Sequence, residues 1–145
     1  MKIYVVGFIV VLAGGVASAG DLSQVVGHYR YQDYAATLAD GRVIKLQDMG
    51  ATDAFLDISE DGTITLRMTM AAGNPIVQSA KVLEAHFVSG KGYWVAQWPD
   101  MTYPVRANVT LVGGVLTSDS RFDDRSDALR YGSTERAVLR RVATQ

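Results

Sequence analysis

From residue 63 to residue 70 polar and apolar side chains alternate strictly. Ile64, Leu66, Met68 and Met70 fall on one side of an extended chain, Thr63, Thr65, Arg67 and Thr69 on the other. Val105, Ala107, Val109 and Leu111 alternate with Arg106, Asn108 and Thr110 in the same way. Successive side chains of a strand point to opposite faces, so this period of two predicts half-buried strands. Both apolar rows are expected to point into one core.

Turn chemistry separates the strands. Asp61-Gly62 lies between 55–58 and 63–70, and Gly113-Gly114 follows the 105–111 row. Ser89-Gly90-Lys91-Gly92 joins 82–88 to 93–98, Gly132-Ser133 joins 129–131 to 136–142, and Asp40-Gly41 marks an earlier turn. Glycine at such points accepts the positive φ of tight hairpins. Roughly nine short strands result, with no helical pattern longer than two turns, which predicts an all-β antiparallel barrel or sandwich. Longer loops are expected at 35–41, at 71–79 and at 118–128. The last carries Asp119, Asp123, Asp124 and Asp127 beside Arg121 and Arg125.

The start of the chain belongs to another class. Lys2 is followed by a short apolar run and then by Ala17-Ser18-Ala19. A positive start, a greasy core and a small-residue site predict a signal peptide over residues 1–19, cut after Ala19. The run is shorter than the ~20 apolar residues of a membrane span, so no membrane anchor is expected. The domain is then 20–145, and the location periplasmic or secreted. Of 14 basic residues Lys2 would be lost, leaving 13 against 15 acidic, a balance that does not attract nucleic acid. The chain has no Cys, which removes thiol catalysis and Cys-based metal sites.

The segment Val26-Gly27-His28-Tyr29 reads apolar, Gly, any residue, aromatic at the opening of the first strand. It resembles the start of a lipocalin-like (calycin) barrel, as the apolar strand, Asp-Gly turn and apolar strand of 53–70 resemble bacterial members of that group. The resemblance implies a single antiparallel up-and-down β-barrel. It also implies an aromatic ring, here Tyr29, beneath an arginine of the last strand, here Arg140 or Arg141. A guanidinium on an aromatic face is a cation–π contact, and Gly27 would leave room for close approach.

Candidate chemistry is sparse. Glu84 and His86 stand two apart on an expected strand and would share a face; on the lumen side they would form an acid–imidazole pair. No catalytic constellation, metal motif or cofactor signature is present, and the acidic run at 119–127 reads as a solvated loop with internal ion pairs. Met68, Met70, Glu84, His86 and Trp94 are the expected ligand-binding residues. Methionine adapts to apolar guests, and Trp94 lies on the same expected face as Ala96 and Trp98. Trp98, Pro99, Met101 and Tyr103 form a stiff aromatic stretch, the kind of surface that binds a partner.

These features predict a non-enzymatic periplasmic binding protein for a small apolar ligand. An inhibitor or immunity protein that occludes a partner enzyme is the alternative, and a barrel-type isomerase or hydrolase comes third.

Overall fold

The two apolar rows do meet in one core. In the computed structural model, which describes residues 22–143, the strands are β1 (Gly27–Thr37), β2 (Val43–Ile44), β3 (Ala51–Ile58), β4 (Thr63–Met70), β5 (Ile76–Val88), β6 (Lys91–Gln97), β7 (Val105–Val112), β8 (Val115–Arg121) and β9 (Thr134–Val142). The expected signal peptide, 1–19, lies outside the described residues. Each strand from β3 to β9 pairs antiparallel with the next, and β9 returns to β1. Eight strands thus close into an up-and-down barrel. The short β2 flanks the far half of β1, where Ala36 faces Ile44. Closure removes the sheet edges that an open sheet would expose.

Ile64, Val105, Ala107 and Val109 are buried, and the charged partners in alternation, such as Arg67 and Arg106, are exposed. The outer wall carries the ion pairs Arg30–Asp53 at 3.0 Å and Arg136–Asp119 at 3.3 Å. Apolar inside and charged outside is the reverse of a lipid-facing barrel.

Three β-bulges interrupt the alternation, between Tyr31 and Asp33 in β1, between Ala51 and Asp53 in β3, and between Val82 and Glu84 in β5. A bulge adds one residue to one strand and reverses which parity points inward. In β5 it turns Ala85 and Phe87 into the core and leaves Leu83, Glu84 and His86 outside.

Loop lengths differ between the two ends. Hairpins 59–62, 89–90 and 113–114 are tight and gather at one end; the segments 38–50, 71–75, 98–104 and 122–133 gather at the other. Several expected loops shorten accordingly. Residues 35–37 belong to β1, 76–79 to β5 and 118–121 to β8, where ladder pairing continues the strands, as Ser118 and Ser120 do with Ala137 and Glu135. The expected strand at 129–131 is a run of turns, in which the amides of Arg130 and Tyr131 both donate to the Asp127 carbonyl.

The tight-turn end is plugged. A single 3-10 turn at Ser23–Val25 lays Leu22 and Val25 across it, both fully buried. Gln24 fastens this turn: its Nε2 donates to the Phe87 carbonyl at 3.1 Å, and the Gly90 amide donates to its Oε1 at 3.0 Å. Beneath lies Tyr29, the largest fully buried side chain. Its hydroxyl donates to the Val25 carbonyl at 2.7 Å and accepts from Arg141 Nη2 at 2.9 Å. The same nitrogen donates to the Val26 carbonyl at 3.0 Å, and the guanidinium sits 5.4 Å from the ring centre. Of the two candidate arginines, the partner is therefore Arg141. A Cβ on Gly27 would lie 3.0 Å from Arg141 Nε, so this glycine makes the approach possible.

Tyr29→Ala should lower stability by about 2–4 kcal/mol through a cavity and a lost cation–π contact. Tyr29→Phe keeps the ring but strands the Val25 carbonyl, and should cost about 1–2 kcal/mol. Urea melts of the two variants separate packing from hydrogen bonding. Equal, negligible losses would show that the clasp does not hold the barrel closed.

Candidate functional site: the barrel lumen

Above the plug the barrel is not filled. Between Tyr29 and the long-loop end lies a cavity of about 230 Å³. At ~30 Å³ per liquid water this is the room of roughly eight waters, and it falls below the ~300–1,000 Å³ of ordinary ligand pockets. The lumen suits a slim guest.

Its walls differ. Leu56 of β3, Ile64, Leu66 and Met68 of β4 and Ile76 of β5 make one side mainly apolar, interrupted by Gln78 of β5 beside Leu66. In a closed ring of eight strands β8 stands opposite β4, and β8 presents Ser118 and Ser120 to the cavity. Glu135 of β9 pairs in register with Ser120 on one flank and Ala36 on the other. Tyr34 of β1 donates its hydroxyl to Glu135 Oε2. Tyr31 packs edge-on against Tyr34, with ring centres 6.4 Å apart. Trp94, Trp98 and Phe122 complete an aromatic lining.

Arg130, from the 122–133 segment, also borders the cavity. Its Nη2 lies 3.6 Å from Asp100 and its Nε 3.8 Å from Asp127, while its guanidinium lies 5.5 Å from the Phe122 ring centre. Two carboxylates and an aromatic face thus hold it.

Burial sets the electrostatics. The Glu135 carboxyl is pushed above the usual carboxylate range, chiefly by desolvation and further by Asp100; the Tyr34 hydrogen bond and Arg130 oppose this. The Tyr31 and Tyr34 phenols are pushed well up by burial and by the charge of Glu135. Both stay protonated at neutral pH, so Tyr34 is the donor to Glu135.

The expected site residues scatter against this geometry. Met68 and Trp94 line the cavity. Met70 shares their inward parity but lies at the rim, where its Cε is 3.5 Å from the position a Cβ on Gly50 would take. Glu84 and His86 are on the outer wall and do not line the lumen, because the β5 bulge reverses their parity. There Glu84 accepts from the Tyr93 hydroxyl, and the His86 ring lies 6.4 Å from that of Tyr93. Of the expected partner stretch, Trp98 faces the cavity, and Met101 is buried with Val105 and Phe122. Pro99 and Tyr103 alone present exposed surface.

Glu135, Tyr34, Tyr31, Ser118 and Ser120 were not among the expected site residues. Counting back by twos from Leu139 and Ala137 reaches Glu135, and forward from Leu116 reaches Ser118 and Ser120, so period two contained that signal. Tyr31 and Tyr34 have opposite parity, and only the β1 bulge brings both inside. Among the described residues no cluster of His, Asp and Glu is arranged to hold a metal ion.

Protein-family models, curated proteins and solved structures yield no match to this chain.

The raised carboxyl makes a signed prediction. A folded-state pKa above the unfolded value means that the native state holds the proton more tightly. Stability then falls as pH rises from the unfolded value through the folded one. Glu135→Gln keeps an acceptor for Tyr34 and removes the charge. The variant should be more stable than the parent at pH 7, with the gap narrowing towards pH 4. Paired urea melts at the two pH values check this; a parent more stable at pH 7 would contradict it.

Proposed function

We propose that this protein is an exported, lipocalin-like barrel that binds a small, mostly apolar molecule in its lumen without transforming it. The observation that carries the reading is the lumen, an unfilled space in a fold whose interiors are normally packed to crystal density. Its walls are largely hydrophobic and aromatic with a few convergent polar groups, the composition of small-molecule sites. Kinship with calycins is supported by the Tyr29–Arg141 clasp at the closed end, and export by the pattern of residues 1–19.

A second reading keeps the alternative of a protein partner. Tyr103 is 61% exposed and Leu129 85%, both on long-loop segments at the open end. The surface for such a partner would be this rim, with Pro99, and would leave out the inward-facing Trp98 and Met101.

The chain has two tryptophans, and both line the cavity. Intrinsic fluorescence therefore reports on the lumen without a label. Titration with linear alcohols of five to eight carbons should change the emission saturably in the millimolar range or below. Ala107→Phe, which builds a ring into the cavity from β7, should abolish the change. A flat titration of the parent, or an unaltered one in the variant, would move the function to the rim.

A further inference from the structure

The lumen presents a carboxylate where an apolar cavity needs none. Glu135 stands on the inner face between Ser120 and Ala36, and among the described residues Tyr34 is its hydrogen-bond donor. A carboxylate can accept about four hydrogen bonds, so with one protein donor the rest of its acceptor capacity is turned to the cavity. Arg130, the cation that borders the cavity, is already shared between Asp100 and Asp127. Glu135 and Asp100 both line the cavity against that one guanidinium, so acidic groups outnumber basic ones around a guest.

The remaining walls match that charge. Tyr31, Tyr34, Trp94, Trp98 and Phe122 turn aromatic surface to the same cavity. Ring faces attract cations, most strongly where water is excluded. Ser118 and Ser120 add hydroxyls that accept as well as donate. Across the barrel Leu66, Met68 and Ile76 offer mainly hydrocarbon, with the neutral Gln78 amide beside Leu66, so one end of a guest meets acid and aromatics while the other meets an uncharged, largely apolar wall.

We propose that the lumen selects a small organic cation, a protonated amine on a short apolar or aromatic body, with the ammonium on Glu135 and the body against Leu66 and Met68. This rests on the lumen being the binding site, and it adds the charge of the occupant. The ammonium supplies the donors that Glu135 lacks, and its charge offsets the desolvation of the carboxylate in a medium where such pairs are strong. A carboxylate guest would face Glu135 and Asp100 with Arg130 already engaged, and a neutral guest would leave the acid uncompensated.

A matched set of probes of nearly equal size tests this: 2-phenylethylamine, 2-phenylethanol and 3-phenylpropionate, titrated by calorimetry and tryptophan fluorescence against the exported protein. The amine should bind at least about ten-fold tighter than the alcohol, the difference expected of a charge-assisted hydrogen bond, and the acid weakest of all. In Glu135→Gln, shown folded by its melt, amine and alcohol should bind alike. Equal binding of amine and alcohol to the parent protein, or an amine preference that survives in the variant, overturns the cation while leaving the lumen as the site. Preference for the acid overturns it as well. If none of the three binds, the lumen reading falls, and the inference with it.

Discussion

Everything in this barrel depends on the meeting of β1 and β9. The two strands run side by side from His28 opposite Val142 to Thr37 opposite Thr134, the longest pairing in the sheet. It joins segments that are more than a hundred residues apart for most of its length, so its loop-closure entropy is large, and local turns contribute nothing to it. Tyr29 and Arg141 sit near one end of that seam and tie it to the plug turn. Glu135 and Tyr34 sit near the other end and join the two strands on their lumen face. One seam therefore closes the barrel and also supplies the polar wall of the cavity. This is the reason structural and functional arguments converge on the same two strands.

The strands that could be read from the chain are those whose alternation is unbroken. β4 and β7 carry their inward rows from end to end, and the tight turns at 61–62, 89–90 and 113–114 stand where Asp-Gly, Ser-Gly and Gly-Gly place them. The clasp was legible too, because Gly27, Tyr29 and an arginine in the last strand are a pattern as well as a contact. What period two cannot carry is a bulge. An extra residue in β5 moved Glu84 and His86 to the outside, and one in β1 brought Tyr34 inside. Neither leaves a sign in the residue types around it. The site was therefore half visible: its apolar wall on β4 could be read directly, whereas its polar wall on β1 and β9 required knowing where the register slips.

The polar wall also has a thermodynamic meaning. An acid in a desolvated lumen weakens the empty fold, and a leucine at the same position would fill space at no electrostatic cost. Residues that lower stability in a protein's resting state are concentrated where binding or chemistry occurs. Glu135 fits that description better than any group on the outer wall, where the ion pairs are exposed and contribute little in either direction.

The separation of tight turns from long loops has a further consequence. His28 and Val142 are register partners at the plugged end, so the chain enters and leaves the barrel side by side, on the side away from the mouth. A tether, a fusion partner or a surface attached through either end would leave the opening facing outward and unobstructed. A short peptide bridging those ends, with new ends opened in the 71–75 segment, would yield a permuted barrel with the same seam and the same lumen.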